Sequence, residues 1–209
     1  MVPTTIRGGA RAIRQTAYSF LAKLTAKFAD PTLQAEVAQL EVSKSETPLQ
    51  RLMQLQDRSG QAPTAWRDLG AIAYELVRSH RPQTVVELGS FGGFSTCALA
   101  LALKEHVPGS RLYAVDTWKG DAHTGIYGEQ VYQQFLSFRR GLGLEEIIIP
   151  LRMTFAEARE QIPSDIDLLH IDGWHTFTAV RRDFQLFQPR LATQALVLFH
   201  DVNTHFLGM

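Results

Sequence analysis

Several features that narrow the function of a protein are scarce or missing in this chain of 209 residues. Cysteine occurs once, as Cys97, which excludes an internal disulfide and a zinc site built from several cysteines. The sequence has no apolar run near the roughly 18 residues that a membrane-spanning helix needs. Its N-terminus lacks the continuous apolar segment of a secretory signal. We therefore expect a cytoplasmic protein in which Cys97 packs inside an apolar helix.

An excess of charge of one sign is also missing, because 21 Lys and Arg residues balance 21 Asp and Glu residues. A chain without a basic excess gives no reason to expect a nucleic-acid partner. Acidic residues are absent from the first 29 residues, whose apolar residues recur at helical spacing from Ile13 to Phe28. This basic helix is expected to pack on its own domain, with contact to a membrane surface or a partner as the less frequent alternative.

Apolar residues recur at helical spacing up to about residue 80, and the pattern predicts alternating strands and helices from residue 83 onwards. Five short runs predict strands: TVVELG, RLYAVD, EIIIPLRM, IDLLHID and ALVLFHD. Helical stretches separate these runs, so the strands should form a mainly parallel sheet with helices on both faces. We predict an α/β, doubly wound, Rossmann-like domain over residues 63–209, preceded by a helical extension over residues 1–62. The active crevice of such a sheet lies at the carboxyl ends of its strands.

A glycine-rich turn follows the first predicted strand, in the segment VVELGSFGGFST. Gly89, Gly92 and Gly93 would let the backbone approach a ligand closely, although such turns are often only tight connections. A dinucleotide-binding turn needs a first glycine where this chain has Glu87, and a carboxylate there would repel a diphosphate. That position suits a cationic ligand without phosphate, such as S-adenosylmethionine. Asp116 ends the next strand, where an acid is the usual partner of a ribose diol and otherwise caps a turn.

Four segments together resemble a family of class I S-adenosylmethionine-dependent methyltransferases: ELGSFGGFST, LYAVDTWKGDAHTGIYGE, LLHIDGWHTFTAVRRDF and LVLFHDVN. Members of this family often occur beside or fused to glycosyltransferases and are related to macrolide-sugar and cephalosporin-pathway O-methyltransferases. The resemblance covers about residues 64–203. It implies a Rossmann-like methyltransferase fold, S-adenosylmethionine as the cofactor, and a sugar or glycosylated small molecule as the acceptor.

The predicted cofactor site combines the glycine turn, the end of the second strand and the starts of later helices. Its members are Glu87, Gly89, Ser90, Gly93, Ser95, Asp116, Thr117, Trp118, Thr154 and Asp172. We expect Trp118 near the adenine and Thr154 as the cap of the helix FAEAREQI. The glycine-punctuated stretch after the second strand is interpreted as a lid whose Asp121, His123 and Tyr127 face the acceptor, with a solvated connection as the alternative.

Polar side chains gather where the fourth and fifth predicted strands end, in HIDGWH and LFHD. By the resemblance, Asp172 matches a metal-binding carboxylate and His175 matches the general base. His200 and Asp201 match an acidic pair in which imidazole replaces one carboxylate. Asp172, His200 and Asp201 could converge on a divalent ion, magnesium or manganese, although imidazole favours softer metals than magnesium. A metal-free site with His175 acting alone is the alternative, and His170 is expected to be packed or to support its neighbours.

Together these predictions indicate an S-adenosylmethionine-dependent O-methyltransferase that acts on a hydroxyl of a sugar or glycosylated small molecule. The alternatives are an NAD-dependent oxidoreductase and a non-catalytic cofactor-binding domain that partners a glycosyltransferase. Class I methyltransferases usually continue beyond the fifth strand, whereas only eight residues follow Asp201 here. We therefore expect an exposed strand edge in a truncated chain, in a homo-oligomer, or in part of a longer glycosyltransferase-containing chain.

Overall fold

The computed structural model describes residues 47–60, 64, 66–121 and 125–201. The basic helix expected near residues 13–28 lies outside the described residues. Of the extension predicted over residues 1–62, the structure shows helix α1 (Pro48–Arg58), which starts with a capping box between Thr47 and Gln50. The domain boundary near residue 62 stays a prediction.

Strands and helices alternate after α1 and the next helix, as the sequence pattern predicts. In chain order the elements are α2 (Trp66–His80), β1 (Thr84–Leu88), α3 (Phe94–His106), β2 (Arg111–Asp116), β3 (Gly120–Asp121), β4 (Gly125–Ile126), α4 (Glu129–Gly141), β5 (Ile148–Arg152), α5 (Phe155–Arg159), β6 (Ile166–Ile171), α6 (Phe177–Phe187) and β7 (Leu191–Phe199). A short 3-10 helix, Gln188–Arg190, joins α6 to β7. The antiparallel hairpin of β3 and β4 lies within the stretch that we predicted as a lid.

Five strands form one sheet in the order β5-β2-β1-β6-β7, and every neighbouring pair runs parallel. The predicted Rossmann-like fold, with a mainly parallel sheet and helices on both faces, is therefore confirmed. Strand β5 lies at one edge, where Pro150 is tolerated although it lacks an N–H donor. Strand β7 lies at the other edge of the sheet within the described residues.

The two faces of the sheet bury different side chains because residues alternate along each strand. Val85 and Leu168 lie on one face, in a core shared with helices α1 to α4. Val86 and Leu169 lie on the other face, in a core shared with α5 and α6. Full burial of such a side chain contributes about 1.5–3 kcal/mol to stability. Both faces are thus covered, which leaves the carboxyl ends of the strands as the accessible edge for a site.

The structure tests three expectations about packing. Cys97 is buried in α3 as predicted, and burial raises the pKa of its thiol. Helical spacing of Phe177, Phe184 and Phe187 predicts an apolar stripe in the core, with Trp174 beside it. Trp174 and Phe177 are instead 48% and 75% exposed, so that prediction is wrong for these two. Phe187, at the other end of the same stripe, is fully buried. None of the described helices is long and apolar enough to cross a membrane.

Candidate active site

The turn between β1 and α3 is built by glycines in a conformation that other residues rarely adopt. Gly89 has a φ of 95° and Gly93 a φ of 88°, both in the left-handed region. A Cβ on Gly89 would lie 2.2 Å from the carbonyl oxygen of Asp172, and one on Gly93 would lie 2.7 Å from the ring of Phe135. The turn is therefore packed too tightly for a side chain and presents its backbone at the start of α3.

Asp116, the last residue of β2, ties this turn to the neighbouring strand. Its Oδ2 accepts a hydrogen bond from the backbone N–H of Phe91 at 2.9 Å, and its Oδ1 accepts one from the backbone N–H of Trp118 at 2.7 Å. The Asp116 carboxylate lies on the wall of the cavity described next, at the place predicted for a partner of a ribose diol.

A cavity of about 620 Å³ lies over the carboxyl ends of β1, β2 and β6. This volume falls within the roughly 300–1,000 Å³ of small-molecule sites. Most of the predicted site residues line the cavity: Gly89, Ser90, Gly93, Ser95, Asp116, Thr117, Tyr127, Asp172 and His175. Among the described residues, the buried hydroxyl of Ser90 and the buried Oε1 of Gln134 have no hydrogen-bond partner. Since buried polar atoms are normally paired, both are positioned for a ligand.

Glu87 lies beneath the cavity and not on its wall, which corrects our prediction of direct contact with a cationic ligand. The side chain is 0% exposed, and its Oε1 lies 3.0 Å from Nδ1 of His170. Its Oε2 accepts a hydrogen bond from the hydroxyl of Thr96 in α3. Glu87 and His170 are register partners in β1 and β6, so both project from the same face of the sheet. Glu87 therefore connects β1, β6 and α3, and His170 is buried as expected.

Two further predicted cofactor residues are also absent from the cavity wall. Trp118 is 1% exposed and packs on Phe135, with its Nε1 donating to the carbonyl of Phe91 at 2.7 Å, so it supports the glycine turn from behind and does not line the predicted adenine site. Thr154 caps α5 through a capping box with Glu157, which confirms its predicted structural role. The side chain of Asp121 and the whole of His123 lie outside the described residues.

Residues that the sequence pattern missed enter the cavity from other helices. Gln56 of α1, Thr64, Trp66 and Gln134 of α4 line it. No motif marks these four residues, because each belongs to an ordinary helix or its start. Only the packing of the helices on the sheet brings them to the cavity. Phe155 also lines the cavity, in the segment RMTFAEA that the sequence predicts to run along the adenine.

Asp172 follows β6 and forms the centre of a cluster of ionisable side chains. Its Oδ1 lies 2.9 Å from Nδ1 of His200 and 3.3 Å from Nε2 of His175. Its Oδ2 accepts a hydrogen bond from Nε1 of Trp66 at 2.8 Å. Burial acts to raise the pKa of the Asp172 carboxyl, but hydrogen bonds to His175 and His200 outweigh it and hold the pKa well below its usual range.

Asp201, just after β7, lies beside both histidines. One carboxylate oxygen is 2.8 Å from Nδ1 of His175 and the other is 3.2 Å from Nδ1 of His200. The hydrogen bond to Asp172 raises the pKa of His175. Burial acts to lower the pKa of His200, but the two carboxylates outweigh it and raise that pKa. Asp201 has a φ of 53°, a strained conformation of the kind that clusters at functional sites.

Ligand atoms of Asp172, His175 and His200 lie within 4.8 Å of one another, close enough to hold one metal ion. This group differs from the predicted set of Asp172, His200 and Asp201, because His175 takes the place of Asp201. The sequence places all four residues at the same edge, but the choice among them depends on side-chain rotamers. One carboxylate with two imidazoles suits manganese, iron, nickel or zinc better than magnesium.

Residues 86–202, more than half of the chain, match the family described as Methyltransferase domain. A protein of Sinorhizobium fredii (strain NBRC 101917 / NGR234) named "Uncharacterized protein y4gI" is 38% identical over 156 residues. That match covers 70% of this chain and 16% of the relative, so the chain spans about one sixth of the relative's length.

Solved structures of methyltransferases have a similar fold. The O-methyltransferase TomG from Streptomyces achromogenes, involved in tomaymycin synthesis and solved in complex with SAM, has a TM-score of 0.56 at 16% identity, over 80% of this chain and 70% of that one. An O-methyltransferase from Bacillus cereus in complex with SAH has a TM-score of 0.54 at 16% identity, over 77% and 68%. A methyltransferase from Geobacter sulfurreducens has a TM-score of 0.56 at 19% identity, over 82% and 78%. The chain belongs to the methyltransferase domain family, and its sheet has the fold of class I S-adenosylmethionine-dependent methyltransferases.

Proposed function

We propose that this chain transfers a methyl group from S-adenosylmethionine to a hydroxyl of a sugar or glycosylated small molecule, with His175 as the general base. One observation carries the proposal: a single cavity is lined both by the glycine turn with Asp116, called the turn end below, and by Asp172 and His175, called the cluster end. A nucleoside cofactor bound at the turn end would share this cavity with His175.

The turn end of the cavity fits S-adenosylmethionine. Gly89 and Gly93 leave the backbone open, the buried Ser90 hydroxyl has no partner within the described part of the chain, and Asp116 lies where a ribose diol would be held. The described cavity wall carries no lysine or arginine, which suits a ligand without phosphate. The cofactor supplies an electrophilic methyl group on a sulfonium.

The side chains that we assign to the acceptor combine aromatic rings with uncharged polar groups. Trp66, Trp174 and Tyr127 line the cavity together with Gln56 and Thr64. Aromatic rings offer faces for the C–H groups of a sugar, while amides and hydroxyls can donate to and accept from its hydroxyls. The described wall has no lysine or arginine that would select a phosphate or carboxylate on the acceptor, which favours a neutral glycosylated acceptor.

Methyl transfer to a hydroxyl requires removal of the hydroxyl proton, and His175 is the residue placed to take it. Its Nδ1 lies 2.8 Å from Asp201, which orients the ring and leaves Nε2 as the atom that accepts the proton. Asp172 lies 3.3 Å from Nε2 and stabilises the imidazolium that forms. The remaining task of the protein is to align the acceptor oxygen with the methyl group.

The same cluster fits a divalent ion, because carboxylate and imidazole are common ligands of transition metals. In our proposal Asp172 and His200 would hold it together with Asp201, the set predicted from the sequence, and His175 stays available as the base. A cation there would supply positive charge that favours ionisation of the acceptor hydroxyl.

The test is transfer of radiolabelled methyl from S-adenosylmethionine to a panel of sugars and glycosylated small molecules, before and after EDTA treatment. Loss of activity with EDTA and recovery with manganese would support the metal. Activity that survives EDTA would remove the metal and leave His175 as the base. Tight binding of S-adenosylhomocysteine without transfer to any acceptor would favour a non-catalytic domain.

The family match speaks against the NAD-dependent oxidoreductase that the sequence left open. A glycosyltransferase partner, a homo-oligomer and membrane contact of the basic N-terminal helix remain predictions from the sequence.

A further inference from the structure

Trp66, the first residue of α2, contacts the Asp172 cluster although it lies outside the matched residues 86–202. Its side chain is 8% exposed and lines the cavity. The indole Nε1 donates to Oδ2 of Asp172 at 2.8 Å. The ring stacks on His200, with centroids 5.4 Å apart and an interplanar angle of 25°. The structure thus places one indole against two members of the cluster.

The start of α2 holds Trp66 in this position. Its backbone N–H donates to Oγ1 of Thr64 at 3.2 Å, as in a helix N-cap. The next residue, Arg67, forms two hydrogen bonds to the carboxylate of Asp57 in α1, at 2.6 and 3.1 Å. The helix start that carries the indole is therefore hydrogen-bonded to α1.

The indole N–H fixes the plane of the Asp172 carboxylate. Trp66 can only donate, so it binds one carboxylate oxygen while the other, Oδ1, lies toward His175 and His200. Rotation of the carboxylate out of this plane would break the bond. Stacking on Trp66 restricts the ring of His200 in the same way. Residues that hydrogen-bond to a metal ligand or a catalytic group, as Trp66 does to Asp172, commonly fix its orientation.

We propose that Trp66 is a positioning residue that sets the orientation of the Asp172 carboxylate and of the His200 ring. The proposal rests on the proposed function, since the cluster matters only if it binds a cation or moves a proton. Trp66→Phe keeps a ring to pack on His200 and removes the N–H donor. Its expected effect is a 10- to 100-fold lower affinity for Mn²⁺, about the loss that removal of an outer-shell partner causes.

The first arm of the experiment measures Mn²⁺ binding by electron paramagnetic resonance and S-adenosylhomocysteine binding by calorimetry. Tyr74→Phe is the matched control, because it removes a hydroxyl donor from the same helix, where Tyr74 donates to Glu105. We expect Trp66→Phe to weaken Mn²⁺ binding without changing S-adenosylhomocysteine affinity, and Tyr74→Phe to change neither. Wild-type Mn²⁺ affinity in Trp66→Phe would overturn the proposal.

The second arm needs neither metal nor acceptor. Nitrogen-15 NMR spectra resolve the indole N–H signals of the three tryptophans. The signal that disappears in Trp66→Phe is thereby assigned to Trp66. Asp172→Asn should shift the Trp66 signal and leave that of Trp118, which donates to the carbonyl of Phe91. An unmoved Trp66 signal would overturn the proposal. If the wild-type protein binds no Mn²⁺, the metal-dependent part of the proposed function is wrong. The indole N–H signal of Trp66 in Asp172→Asn still tests the hydrogen bond on which the role of Trp66 depends.

Discussion

The two ends of the cavity are built in different ways. The turn end comes from backbone groups of the turn after β1, which meet Asp116 at the end of β2. The cluster end comes from side chains that follow β6 and β7 and from Trp66 of α2, and the hydrogen bond between Trp66 and Asp172 joins residues 106 positions apart. The turn end is therefore sensitive to substitution of its glycines by residues with a side chain. The cluster end depends instead on the packing of elements that are distant in the sequence.

The largest effect is expected at the cluster end, from His175→Ala. Loss of a general base lowers the rate of methyl transfer by roughly 100- to 10,000-fold. Because His175 is absent from the turn end, S-adenosylhomocysteine affinity should not change, and both quantities can be measured on the same preparation. His106→Ala, at the end of α3 beside Tyr74, is the control. If His175→Ala retained more than half of the wild-type activity, His175 would not be the general base.

The next largest effect is expected at the turn end, as a loss of unfolding free energy that can be compared between two glycines. Gly89 and Gly109 both have positive φ values, 95° and 85°, but a Cβ on Gly109 meets nothing within 4 Å. Gly109→Ala should cost about 1–2 kcal/mol of unfolding free energy from backbone strain alone. Gly89→Ala adds a clash with the carbonyl of Asp172, so we expect a cost of at least about 3 kcal/mol. Urea denaturation measures both, and equal costs would contradict the tight turn.

A third pair of variants should separate the two ends by their ligands. Asp116→Asn weakens a charged hydrogen-bond acceptor on the cofactor side, so S-adenosylhomocysteine affinity should fall about 10-fold while Mn²⁺ affinity stays constant. His200→Ala should have the opposite effect, with weaker Mn²⁺ binding and constant S-adenosylhomocysteine affinity. Calorimetry and paramagnetic resonance give the two affinities. Loss of both ligands in either variant would show that the ends are not independent.

The smallest effect concerns stability and its pH dependence, at Asp183 of α6. This side chain is 8% exposed, and burial raises its pKa to about 6. The folded state therefore binds this proton more tightly than the unfolded state, and the associated stability, present at low pH, is lost as the pH rises from about 4 to about 6. Asp183→Asn should be about 1–2 kcal/mol more stable at pH 7 and should lack this pH step. Urea denaturation at pH 4 and pH 7 tests both statements.

The sequence predicted the strand ends well because each is a buried apolar run that stops at a polar residue. Asp116 and Asp172 were located in this way, and the parallel topology then placed both at one edge of the sheet. The glycine turn was recognisable because its spacing reflects backbone conformation and not side-chain packing. These are properties of short continuous segments, which a single sequence displays directly.

What the sequence did not reveal depends on the direction of side chains. Strand β1 is buried on both faces, so its pattern does not show that Glu87 faces His170 and α3. Trp118 has a φ of 51°, a local conformation that no motif marks. Trp66 approaches Asp172 because α2 packs against α3 beside the sheet. Rotamers and helix packing are set by the whole fold, which explains why these contacts required the structure.

The proposed function requires that the cavity over the glycine turn binds an S-adenosyl nucleoside and not a dinucleotide. Calorimetric titration of the wild-type chain with S-adenosylhomocysteine and, separately, with NAD⁺ distinguishes the two ligands. We expect saturable binding of S-adenosylhomocysteine and no binding of NAD⁺. Binding of NAD⁺ together with no heat from S-adenosylhomocysteine would contradict it.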